Sequence, residues 1–382
     1  MALRVSEIEP GSGGLYSCPM LGEDSDCPTH LQPGAYMLVV LYRTVLLLVC
    51  ISGALRIHHC AAEQGAGGLR VGIIAPLTGP MASIGLSIQS AVRYAAQNLS
   101  EPPALIFEDD QFQPKYTVAA ARKLVSSDHV QAMIIFGSPT CLSVVGELER
   151  ARIPTFCLSS YDGVTKDKRF IFRFFPSSTS LAEVAAREAK RRGYSRIAVV
   201  TNSTDGFLSI TRKFSQAIPA HELVGTEEIS PSEADLRPTV TKVSHAKPDA
   251  VFVMLLPQHF GAFVSQLLKH GYKGDIFSTI PLGNSVIQQQ VRPLKPDAWY
   301  VSVDHSRFVD IAAALERIQG NESDFEGIFG YEALRLLLSV KDRSNISAGL
   351  REVRNFESVF GVMSPQGQDF FPPVVVNSLA EH

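Results

Sequence analysis

Two hydroxyl residues, Ser138 and Thr140, stand where the apolar run 130–136 gives way to a helical stretch. The first turn of a helix leaves backbone N–H groups without intrahelical partners and carries partial positive charge. Such a corner suits a carboxylate, with the two hydroxyls as added donors. Pro139 between them has no N–H and removes one donor. The same residues also suit plain N-capping, which needs no ligand. Asp109 and Asp110 are adjacent at the end of another apolar run, so their side chains should point to opposite sides, and they read as structural. No Gly-x-Ser-x-Gly elbow presents a serine nucleophile, and the first strand-like run, 70–76, leads into Leu77-Thr-Gly-Pro80 rather than a glycine-rich phosphate loop. His58 and His59 lie in the N-terminal segment and the other histidines are scattered. Neither a metal nor a cofactor is expected, nor is an enzyme. The net charge of −3 comes without any long Lys/Arg run, which argues against a nucleic-acid partner.

Such a corner needs rigid elements behind it. Apolar runs at 70–76, 104–108, 130–136, 154–158, 196–201, 250–255 and 299–303 are mostly continuous, as in parallel strands covered on both faces. Between the first two, Ile84, Ile88, Ala91, Val92, Ala95 and Leu99 recur at helical spacing. A second helix is predicted over 180–192, with Ser180 and Glu183 as a capping box, Lys190, Arg191 and Arg192 at its negative end, and Gly193 as its stop. This alternation predicts an α/β fold of doubly wound parallel sheets. It runs for too long to form one sheet, and breaks at 173–176 and 304–306 predict two lobes facing each other across a cleft.

Residues 1–36 are rich in Gly, Ser and Pro and show no period. The apolar block after them, uninterrupted over 44–55, has the length of a signal-peptide core rather than of a membrane span. Met37 then reads as the start, Arg43 as the basic region, and Ala61 and Ala62 as the approach to cleavage before Glu63. An uncleaved anchor and lipid attachment at Cys60 are the other readings of this segment. Of the six cysteines, only Cys141 and Cys157 fall beyond it, either as one disulfide or as two small buried hydrophobes. Asn-x-Ser/Thr sequons occur at Asn98, Asn202, Asn321 and Asn345.

From Arg70-Val-Gly-Ile-Ile-Ala-Pro-Leu-Thr-Gly-Pro80 and Gly85 onward, the chain resembles the leucine/isoleucine/valine-binding family of type I periplasmic binding proteins. Phe107-Glu-Asp-Asp110, Gly137-Ser-Pro-Thr140, Phe170-Ile-Phe-Arg-Phe174, Lys247-Pro-Asp-Ala-Val-Phe252 and Phe329-Gly-Tyr-Glu-Ala-Leu334 come in the family's order, so that the likeness covers about 69–376. The resemblance implies lobe one at 69–175 plus 305–355, lobe two at 176–304 plus 356–382, and three crossings forming a hinge. It implies that the Ser138–Thr140 loop grips a ligand carboxylate, and that Ser159, Ser160, Tyr161 and Asp162 form a second ligand loop, where Asp162 could hold an ammonium group. That second loop also reads as an exposed turn. In lobe two it points to the loop around Asp205, and to 281–284 with Asn284 as a further wall. Amino-acid binders commonly carry aromatics where this chain has Ile84 and Asp205, with Phe207 displaced to the far side of Gly206. These departures leave room for amides, urea-like solutes or organic acids. The implied role is capture of a small polar ligand, such as an amino acid, outside the cytoplasm, for the membrane permease of an ABC importer. The alternative is a sensor module that reports the ligand to a regulatory partner.

Overall fold

The strands assemble into two six-stranded sheets plus a short hairpin, as seen in a computed structural model that describes residues 68–97, 99–319 and 324–379. The first sheet contains β1 (Arg70–Ala75), β2 (Ala104–Asp109), β3 (Ala132–Phe136), β4 (Thr155–Leu158) and β5 (Ile171–Phe174). The second contains β6 (Ile197–Asn202), β7 (Leu223–Ile229), β8 (Ala250–Met254), β9 (Asp275–Ser278) and β10 (Ala298–Val303). After the β11 (Phe356–Ser358) and β12 (Gly361–Met363) hairpin, β13 (Asp369–Phe370) joins the first sheet and β14 (Val374–Ser378) the second. The orders are β13-β5-β4-β3-β1-β2 and β14-β10-β9-β8-β6-β7, parallel throughout except for the β10–β14 pair. Both sheets lie within one compact unit, Gly67–His382.

The central strands are buried along nearly their whole length, which is why their sequences read as unbroken apolar runs. The expected runs are found within one or two residues of their predicted ends. The sequence reading missed β5, β7 and β9. β7 is an edge strand carrying Glu227 and Glu228, and β5 and β9 are four residues each, too short for a period to show. In the second sheet Phe214, Phe252, Phe277 and Trp299 form an aromatic column, Phe277 and Trp299 stacking at 4.7 Å.

Some local expectations change. The predicted capping-box helix begins two residues earlier, at Ser178, and Ser177 accepts the N–H of Ser180 at 2.9 Å. Its stop at Gly193 holds, in the left-handed conformation at φ 77°. The chain passes between the sheets at 175–177, 304–308 and 371–373. The third passage lies later than the expected boundary near 355, because Asp369 and Phe370 pair with Arg173 and Phe174 of the first sheet. Cys141 and Cys157 are free and buried. Asn202 is buried too, its amide donating to the Ile229 carbonyl and its Oδ1 accepting from Leu256 N–H, so that sequon is closed to a glycan. Asn345 caps the helix Ile346–Glu352. The leader, its cysteines, Asn98 and Asn321 lie outside the described residues.

Candidate functional site

In an open α/β sheet, the place where strand order reverses leaves a crevice at the carboxyl ends of the two strands that flank it. In the first sheet that point falls between β1 and β3, in the second between β6 and β8. A cavity of about 80 Å³ is lined by residues lying just past the carboxyl ends of all four strands: Met81 and Ile84 after β1, Gly137 and Ser138 after β3, Thr204 and Gly206 after β6, Leu255 and Leu256 after β8. The two switch points therefore face one another across one space.

One end of this space is polar. Gly137 turns the chain at φ 100°, and Ser138 opens the helix Ser138–Ala151. The Ser138 and Ser159 hydroxyls are 2.9 Å apart. Gly206 sits in the first turn of a helix from the other sheet, Asp205–Ala217. A Cβ on Gly206 would lie 2.6 Å from the Ser138 Oγ and 2.9 Å from the Ser160 Oγ, so a side chain there would push these loops apart or turn both hydroxyls away. Two helix N-termini thus converge on a cluster of serine hydroxyls. Around them the wall is apolar, with Phe112, Phe136, Phe175, Phe207, Ile210 and Ile280 among its members, and among the described residues it holds no lysine or arginine.

Of the expected site residues, Ser138, Ser159, Ser160 and Asn284 line the cavity, and Thr140, Tyr161, Asp162 and Asp205 do not. Thr140 is buried with its hydroxyl turned back onto the Phe136 and Gly137 carbonyls. The Tyr161 ring packs against Gly163 instead. Asp205 is exposed to solvent.

Asp162 is fully engaged elsewhere. It accepts from Arg173 at 2.8 Å, from the Ser178 and Thr179 hydroxyls at 2.7 Å each, and faces Lys213 Nζ at 3.5 Å. Arg173, buried, is shared with Asp369, whose carboxylate accepts its Nε–H at 2.9 Å. Burial alone would raise the Asp162 pKa, but the two hydroxyls and Arg173 outweigh it and hold the carboxyl below the ordinary range. These residues tie the 175–177 and 371–373 passages together. Asp109 and Asp110 are structural as expected: Asp109 holds the loop after β1 through the Leu77 N–H and both the N–H and hydroxyl of Thr78, and Asp110 accepts from Phe112 N–H and Thr117.

The sequence reading missed the one acidic side chain in the wall. Glu326, first residue of the helix Glu326–Ser339, is 3% exposed and lines the cavity. Burial pushes its carboxyl well above the ordinary range, and the nearby Asp324 adds to the rise. In sequence it sits in the unremarkable string Asp324-Phe-Glu-Gly, and no spacing ties it to residues nearly 190 positions away.

A site between the carboxyl ends of two facing parallel sheets defines a two-lobed binding protein. A family model described as periplasmic binding protein matches residues 68–369, and the chain belongs to that family as a type I member of the leucine/isoleucine/valine-binding kind. It is similar to the Leu/Ile/Val-binding protein BraC3 of Rhizobium johnstonii, 24% identical over 196 residues, covering 48% of this chain and 53% of that protein. A homologous Leu/Ile/Val-binding protein of Brucella melitensis matches to the same extent. The chain thus spans about half the length of the curated relatives it matches. Among solved structures, the isoleucine complex of LivJ from Streptococcus pneumoniae is similar at a TM-score of 0.75 and 17% identity, covering 81% of this chain and 95% of that one. A Rhodopseudomonas palustris solute-binding protein in complex with benzoate is similar at a TM-score of 0.74 and 17% identity, covering 82% and 94%. At these identities the likeness shows the fold.

Proposed function

We propose that this chain captures a small carboxylate with an apolar body between its two sheets, outside the cytoplasm, and presents it to the membrane permease of an ABC importer. The observation that carries the reading is the convergence of two helix N-termini on Ser138, Ser159 and Ser160 in a wall without basic side chains among the described residues. Helix termini and hydroxyls can hold an anion without a lysine or arginine. The rest of the wall is aliphatic and aromatic, and suits an apolar body. The ligands named for similar structures, isoleucine, benzoate and 4-hydroxybenzoate, each carry a carboxylate on such a body. Hinge bending about the three passages would open and close the site, closure being driven by the ligand's greater affinity for the closed form.

Thermal unfolding of the purified protein with benzoate, branched aliphatic acids, leucine, short amides and urea, each at about 1 mM, tests this. A ligand with Kd near 1 μM adds about 4 kcal/mol by mass action, a shift of several degrees. Stabilisation by an acid, and a smaller shift in Ser138→Ala protein, is the expected result. Stabilisation by amides or urea, with no acid effective, would overturn the carboxylate reading.

A further inference from the structure

Two buried polar atoms in the cavity wall have no partner within the protein. One is Asn284 Nδ2, whose residue is 1% exposed, and the other is Glu326 Oε2. Leaving either group unpaired in a closed cavity costs about 1–3 kcal/mol, so each is a place where a ligand atom gains most.

Both are held in place. Asn284 spends its Oδ1 on the Ile287 N–H, capping the helix Ser285–Val291, which leaves only its NH₂ free to donate. Glu326 leads a helix packed so closely on Ala82–Ala96 that a Cβ on Gly327 would lie 2.8 Å from the Ser87 carbonyl oxygen. A bond between the sheets joins their chain neighbours. Ser285, next to Asn284, donates its N–H at 2.8 Å and its hydroxyl at 2.6 Å to Asp324, two residues before Glu326. Neither side chain belongs to the serine cluster, because Asn284 comes after β9, on the far side of β8 from β6.

We propose that Asn284 and Glu326 form a receptor for a hydroxyl on the ligand, so that the protein selects hydroxylated carboxylates over their unsubstituted parents. This rests on the carboxylate reading of the serine end. A hydroxyl fits both orphans in either proton state of Glu326: it accepts from Asn284 Nδ2, and it donates to the ionised carboxylate or accepts from the protonated carboxyl. An ammonium would satisfy Glu326 but leave Asn284 presenting its donor to a cation. An unsubstituted apolar carbon would leave both unpaired.

The test is calorimetric titration with two matched series: benzoate against 4-hydroxybenzoate, and 4-methylpentanoate against 2-hydroxy-4-methylpentanoate and leucine. In a series that binds, the hydroxy acid should bind about tenfold or more tightly than its parent. Glu326→Leu should erase that margin by weakening the hydroxy acid far more than its parent, since the polar group lost is one that only the hydroxyl uses. Asn284→Asp, which keeps the helix cap, should narrow the margin as well, and it carries the test if Glu326→Leu fails to fold. Equal binding of parent and hydroxy acid, tighter binding of leucine than of its hydroxy analogue, or equal weakening of both members by Glu326→Leu would overturn the proposal while leaving the carboxylate reading intact. If no acid in either series binds, the carboxylate reading falls and the hydroxyl receptor with it.

Discussion

The cavity and the charged cluster at the hinge are both polar and both between the sheets, yet they are wired in opposite ways. Around Asp162, Arg173 and Asp369 every charge meets a countercharge or a hydroxyl of the protein. In the cavity, Asn284 Nδ2 and Glu326 Oε2 meet none, and the first turns that carry Ser138 and Gly206 line the wall. A saturated network fixes the chain where it passes between sheets. An unsaturated one is available to something that is not the protein. Asp162 looked like a ligand group in sequence because a carboxylate in a Ser-rich loop suits an ammonium, and the countercharge that occupies it, Arg173, is not identifiable as its partner from spacing.

Breaking the saturated side should have the largest effect. Arg173→Met leaves Asp369 without its cation and Asp162 with only the more distant Lys213, and we expect a loss of about 3–5 kcal/mol by chemical denaturation. Ligand affinity should drop much less wherever the protein remains folded, because Arg173 does not line the cavity. On the unsaturated side, Gly206→Val places methyls where the Ser138 and Ser160 hydroxyls stand, so the loops can no longer meet. We expect affinity for the effective acid to fall by about a hundredfold or more, and the ligand-free protein to lose about 1–3 kcal/mol of stability. Ser138→Ala removes one hydroxyl but keeps the helix terminus, so about a tenfold loss of affinity is expected by calorimetry. Asp205→Asn should move affinity by less than about twofold, since the side chain is exposed and outside the wall.

The fold was legible in the sequence because its central strands are buried on both faces and so read as continuous apolar runs. The edge strand β7, with its glutamates, and the four-residue β5 and β9 gave no such signal. At the site, Ser138 was legible because it lies just past a strand and opens a helix, and Ser159 and Ser160 were legible through the family resemblance. Thr140 was misread through its neighbourhood: it belongs to the same turn, but the helix directs its hydroxyl back to the Phe136 carbonyl. Glu326 was invisible because its position depends on one helix packing on another far away in sequence, a relation that only the three-dimensional structure supplies.

Whether the serine end holds a carboxylate is decided most sharply by a matched acid and amide. The protein would be titrated calorimetrically with whichever acid stabilises it most, then with that acid's primary amide. We expect saturable binding of the acid at one site per chain and a loss of about a hundredfold or more for the amide, which lacks the charge the two helix N-termini favour. Equal binding of acid and amide would show that the serine end does not recognise a carboxylate.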